Sequence, residues 1–139
     1  MDYFLFFVFL IASVYVTYTD FRFRRIPDYI SLSLFFPLLL YRMIEGTIIS
    51  YVPGFILTAG FLFLIAYFTN GGVGGGDIKL MAAYSLYLPL AGSVFVLISS
   101  HIYGLLYGLV FLLFKKKRVE IPMAPGFLLG FILFFCLQI

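Results

Sequence analysis

Asp20 and Asp77 stand 57 residues apart in a chain with only six acidic residues. Each borders a long apolar block. Two carboxylates brought together can share one proton, because like charges resist joint ionisation. The ionised partner can then act as a base on water while the protonated one polarises a carbonyl. Such a pair hydrolyses an amide without a metal or cofactor, and none is expected here. The plainer reading of an aspartate at a membrane boundary is a solvated cap, so the surrounding residues decide between the two.

Asp77 closes the run NGGVGGGD at residues 70–77, with five glycines in the six positions before it. Glycine tolerates positive φ and close backbone approach, so this loop could let a peptide backbone lie beside the carboxylate. A flexible turn between helices is the simpler alternative. A phosphate cradle is excluded, because Asp and Ile follow the glycines where a phosphate loop needs Lys and Ser or Thr. One cysteine, Cys136, and one histidine, His101, rule out a His/Cys metal cluster and any intrachain disulfide.

The elements that must hold these residues are membrane helices. Hydrophobic residues make up 64% of the chain and charged residues 11%, and the mean hydropathy is +1.15. A soluble domain of 139 residues cannot hide that much apolar surface, whereas in lipid a helix satisfies its own backbone. Residues 3–19 form a first apolar block, with no positive leader region or small-residue cleavage site, and read as a retained helix. The polar connector 20–28 follows, then apolar blocks at 29–41 and 51–68. Residues 78–114 as one helix would span about 55 Å, against a hydrocarbon core of about 30 Å. Pro89 and Gly92 mark the break, giving a short fourth helix at 78–90 and a fifth at 93–114. Residues 121–138 form the sixth, with Pro122 and Pro125 in its opening turns. The expected fold is all-α: a single transmembrane domain, residues 1–139, with six spanning helices and no internal repeat.

Six spans bring the connectors 20–28, 69–79 and 115–120 to one side. They carry Arg22, Arg24, Arg25, Lys79 and the run Lys115, Lys116, Lys117, Arg118, which is eight of the nine cationic residues. By the positive-inside rule that side is cytoplasmic and both termini lie outside. The net charge of +3 is therefore read as topology and not as nucleic-acid affinity. Asp20 and Asp77 fall on the cytoplasmic boundary together.

Three stretches resemble the signatures of type IV prepilin peptidases, a family of GxGD intramembrane aspartic peptidases. GGGDIKLMAA (74–83) resembles the second signature. DFRFRRIPD (20–28) resembles the first, an aspartate followed by basic residues and then Ile-Pro and Asn or Asp. EIPMAPG (120–126) is similar to a weaker third, a Pro-x-x-Pro turn entering the last helix. They occur in family order, and the resemblance covers residues 15–130. It implies that Asp20 and Asp77 are the catalytic dyad in a bundle of the GxGD aspartic protease type. Gly74 and Gly76 match the motif glycines, and Lys79 and Pro27 stand inside the signatures as supporting residues. The implied substrate is a prepilin-like or archaeal preflagellin-like precursor in a prokaryotic plasma membrane, cut after its basic leader at the cytoplasmic edge of its apolar segment. Larger members add a region with paired cysteines associated with methylating the new N-terminus. This sequence has nothing before the first helix and no CxxC, so it resembles the short, peptidase-only members.

Other polar residues have quieter readings. Asp28 follows Pro27 and suits a cap on the second helix. The arginines at 22–25 and the 115–118 run suit topology anchoring. Lys79 either tunes charge beside Asp77 or reaches for headgroups. His101 suits a hydrogen bond to another helix, and the phenylalanines suit lipid and packing. Two rivals remain open. A non-enzymatic assembly factor would tolerate Asp20→Asn and Asp77→Asn. A small proton- or cation-coupled transporter would place its carboxylates nearer mid-membrane. Nothing in the sequence sets an oligomeric state.

Overall fold

Apolar blocks free of proline run as long helices, and the prolines and glycines between them set the breaks. The computed structural model describes residues 3–115 and 121–137, and every regular element among them is helical. The chain divides into two units, Met1–Arg25 with Val96–Ile139, and Ile26–Phe95.

The first unit contains α1 (Tyr3–Phe23), most of α6 (Leu90–Lys115) and α7 (Ala124–Leu137). The 21 residues of α1 make a rod of about 31 Å. Its buried positions Phe9, Ser13, Val16 and Asp20 recur every three or four residues, so they form one stripe. Phe6 on α1 stacks on Phe131 of α7 with ring centroids 5.5 Å apart. Small residues let α7 meet α6 almost backbone to backbone. A Cβ added to Gly126 would lie 2.7 Å from Ser100 Cα, and one added to Gly130 would lie 3.0 Å from Val96 Cα. Gly126 and Gly130 form a GxxxG pair, the spacing that lines one helix face with small residues.

The second unit contains α2 (Asp28–Ile44), α3 (Ile48–Phe55), α4 (Phe61–Phe68), α5 (Gly75–Tyr87) and the start of α6. A π turn at Ile56–Gly60 joins α3 to α4 as one helix of 21 residues. Pro53 withholds an N–H and Thr58 Oγ1 donates to the Gly54 carbonyl at 2.7 Å, both of which loosen the regular ladder there. α5 has 13 residues, about 20 Å. All eight residues Leu80–Tyr87 are buried, the mark of a helix enclosed by other protein. α2 and α3 pack against it. Its exposed carbonyls are met by Arg42, whose Nε donates to Leu86 O at 3.1 Å and Nη2 to Tyr87 O at 3.5 Å. The same guanidinium lies 4.0 Å over the Tyr51 ring and 3.1 Å from Glu45. Glu45 is held below the ordinary carboxylate range, first by its hydrogen bond with Tyr41 and then by Arg42 and Thr47.

Several boundaries differ from those expected. α1 runs on to Phe23, so Asp20 sits in its last turn and not in a connector. The third apolar helix begins at Ile48, because Gly46, at φ +68, completes the turn before it. α5 starts three residues early, on the glycines themselves, and ends at Tyr87 because Leu88 is extended before Pro89. α6 begins at Leu90 and not after Gly92, since a proline before a first turn costs the helix nothing. α7 begins at Ala124, beyond Pro122. The cationic run at Lys116, Lys117 and Arg118, with Glu120, lies outside the described residues.

Among the described residues, three helices are long and apolar enough to cross a membrane: Tyr3–Phe23, Ile48–Phe68 and Leu90–Leu113. α2, α5 and α7 are shorter, at 17, 13 and 14 residues. Large apolar side chains such as Phe4, Ile11, Phe63 and Leu105 stand at least half exposed along the long helices. That surface suits lipid.

Candidate active site

Asp20 lies in the first unit and Asp77 in the second. Asp20 is three residues before the end of α1. Arg24 follows in a left-handed conformation, φ 53, and its N–H donates to Asp20 O at 3.0 Å, which closes the helix. The last turn of a helix is a poor place for a carboxylate, since unpaired carbonyls and the negative end of the dipole gather there. This carboxylate is also buried, at 7% exposure. Its compensation comes from the other end of the sequence. Ala124 N–H, in the first turn of α7, donates to Asp20 Oδ2 at 3.0 Å, and the Met123 backbone faces the same carboxylate. The Pro-x-x-Pro turn explains why that donor is spare. Pro125 has no N–H, and those of Gly126 and Phe127 go to the Met123 carbonyl at 2.9 and 3.2 Å. The first turn of α7 is left with Ala124 N–H, and Asp20 accepts it.

Asp77 occupies the third position of α5. Gly74 is the N-cap, in an extended conformation (φ −65, ψ 138), and its carbonyl accepts from Asp77 N–H at 3.1 Å. The carboxylate folds back over the cap: a Cβ on Gly74 would stand 2.9 Å from Asp77 Oδ2. Gly76 serves a different neighbour. A Cβ there would meet Ile26 Cβ at 2.7 Å and the Ile26 carbonyl at 3.4 Å. Gly74 thus makes room for the motif's own aspartate, and Gly76 for the Ile-Pro corner that opens α2. Pro27 is the N-cap of α2 and fixes that corner at φ −66.

Lys79, two residues past Asp77, reaches across to Asp28 in the first turn of α2, Nζ to Oδ2 2.7 Å. Asp28 is the first residue of α2, just inside the N-cap Pro27, and its carboxylate pairs with this lysine. His101 differs from expectation too. Its Nδ1 lies 2.8 Å from Leu97 O, one turn back in its own helix, so this nitrogen finds its partner within α6. Cys136 is exposed near the end of α7. Sequence reasoning missed three partners: the Ala124 N–H, the Ile26 contact and the Asp28–Lys79 pair. The third signature pointed to the first of these, since a proline one residue into a helix marks where N–H groups run short.

The comparisons with known proteins agree with the motifs. No solved structure matches the chain. The chain is 38% identical over 131 residues to "Prepilin leader peptidase/N-methyltransferase" of Bacillus subtilis (strain 168), an alignment covering 91% of this chain and 52% of that protein. It thus spans about half the length of that relative. The model of the type IV leader peptidase family matches residues 7–109, a segment that contains Asp20, Pro27, Gly74, Gly76, Asp77 and Lys79. With most of its length inside that match, the chain belongs to the type IV leader peptidase family.

Proposed function

We propose that the protein is a membrane aspartic endopeptidase with Asp20 and Asp77 as its catalytic pair, acting without a metal or cofactor. Its substrate is a prepilin-like or preflagellin-like precursor, cut between a basic leader and the apolar segment. The observation that carries this reading is that one family match holds both aspartates, each in a terminal turn of its helix. Terminal turns support a boundary position, which favours a leader peptidase over a transporter. The ionised carboxylate takes a proton from water, and the resulting oxygen attacks the scissile carbonyl carbon. The protonated carboxylate gives its proton to the carbonyl oxygen, forming a gem-diol. Collapse re-forms the C=O and breaks the C–N bond: one gem-diol hydroxyl returns its proton to the second carboxylate, and the amine nitrogen takes a proton from the first.

The proposal includes the finer layout. The chain is a single domain with six spans in a prokaryotic plasma membrane, both termini outside and the aspartates on the cytoplasmic side. Arg22, Arg24, Arg25 and Lys79 support that orientation. The test is cleavage of a designed precursor, a Lys/Arg-rich leader joined to an apolar segment of about 20 residues, by the purified protein in detergent. Asp20→Asn and Asp77→Asn should each abolish cleavage, while Glu45→Gln, in an exposed loop, should not. Cleavage surviving either Asp substitution would remove that residue from the mechanism.

A further inference from the structure

We infer that Asp28 and Lys79 are positioning residues, an ion pair that fixes the first turn of α5 and with it the direction of the Asp77 carboxylate. The inference rests on Asp77 being catalytic, as proposed above. Asp77 is the third residue of α5, after Gly75 and Gly76, and Gly75 has nothing within 4 Å of where a Cβ would be. Such a turn has little side-chain packing of its own to hold it. Two of its contacts reach the start of α2. Ile26 fills the space beside Gly76, and Asp28 holds Lys79 at 2.7 Å. Gly76 and Lys79 are three residues apart, hence on one face of the helix. Ile26 and Asp28 flank Pro27, whose ring fixes the backbone between them. The corner is a rigid clamp of two points, one apolar and one charged.

The pair's exposure separates positioning from stability. The side chains are 43% (Lys79) and 58% (Asp28) exposed, and exposed pairs contribute little to folding. Breaking the pair should therefore leave the melting temperature within about 2 °C of wild type. Catalysis is far more sensitive, since small misplacements of a reacting group are costly.

The experiment compares wild type, Asp28→Asn, Lys79→Gln and the charge swap Asp28→Lys with Lys79→Asp, on the designed precursor in detergent. Each single substitution should lower kcat about tenfold with KM little changed, and the swap should recover most of the loss. Singles as active as wild type would overturn the inference. Singles that fail with no recovery in the swap would overturn it as well, because each charge would then act by itself. Hydrogen exchange over residues 75–79 gives a readout independent of cleavage: it should quicken in both singles and slow again in the swap. Unchanged exchange in the singles would sink the clamp even if no precursor is cut. Failure of the underlying reading looks different, with cleavage persisting in Asp77→Asn.

Discussion

Gly74, Gly75 and Gly76 are chemically identical and adjacent, yet replacing each with alanine should give three different enzymes. At Gly74 the new methyl would lie 2.9 Å from Asp77 Oδ2, with the Asp77 Cγ at 3.9 Å as its other near neighbour. Ordinary contact begins at 3.4 Å, so the carboxylate must retreat by about 0.5 Å. The backbone is no obstacle, since φ −65 and ψ 138 suit alanine. Alanine is a poorer N-cap than glycine by about 0.5–1 kcal/mol, and it restricts the unfolded chain by a similar about 0.4–1 kcal/mol. The two nearly cancel, so Gly74→Ala should fold as wild type does and cleave at least about tenfold more slowly, the loss lying in kcat. Gly75→Ala meets nothing within 4 Å and is the control, equal to wild type in activity and no less stable. Gly76→Ala drives a methyl to 2.7 Å from Ile26 Cβ, an atom fixed to the backbone, and overpacking of that kind costs about 1–3 kcal/mol. It should lose both stability and activity. The assays are thermal unfolding in detergent and cleavage of the designed precursor. Full activity in Gly74→Ala, or a loss confined to Gly75→Ala, would refute the steric reasoning.

Ala124→Pro keeps the first turn of α7, where proline is well accepted, but deletes the N–H aimed at Asp20. Hydrogen bonds to charged groups contribute about 1.5–3 kcal/mol, so cleavage should fall about tenfold or more with helix content by circular dichroism unchanged. Wild-type cleavage would take that N–H out of the mechanism. Arg42→Ala strips the carbonyls of Leu86 and Tyr87 of their donor and should cost about 1.5–3 kcal/mol in thermal stability. Arg42→Lys keeps the charge without the planar fork and should fall between. Gly130→Leu places a side chain where Val96 Cα is 3.0 Å from the Cβ position. It should part α6 from α7 and lower the melting temperature more than any of the α5 substitutions.

The apolar blocks and the six helical segments were legible in the sequence because charge, proline and glycine punctuate them. Ends were less legible, for physical reasons. Thr19 and Asp20 differ sharply in polarity, but a helix does not stop at the first charge; α1 stops where Arg24 turns left-handed, which no composition signals. Asn70, at φ 50, and Gly71 close α4 with bonds to Tyr67 and Ala66 carbonyls, a stop that the Asn-Gly pair did announce. The start of α5 was placed too late because glycines are poor helix formers, while burial of Leu80–Tyr87 outweighs propensity. Long-range partners were the least legible. Asp20 and Ala124 are 104 residues apart, and nothing local marks either for the other. Arg42, in the last turn of α2, is the ninth cation, outside the three cationic connectors; its role depends on where the carbonyls of α5 end.

The GxGD spacing itself follows from helix geometry. Gly74 and Asp77 are three residues apart, as are Gly76 and Lys79, and residues at that spacing share a face. The first face carries the carboxylate over its cap; the second meets Ile26 and Asp28. One residue inserted between Gly76 and Asp77 would turn everything after it by about 100°. Lys79 would then leave Asp28, and Asp77 would lose its place over Gly74. An alanine inserted there should abolish cleavage, whereas an alanine inserted between Gly71 and Gly72, outside α5, should be tolerated. The helix has few ways to absorb the first insertion, because Leu80–Tyr87 are enclosed and cannot rotate without exposing polar Ser85 to a new surface. Equal activity in both insertions would mean that the order of glycines and aspartate serves the approach of substrate to a mobile loop and not the packing of a helix start.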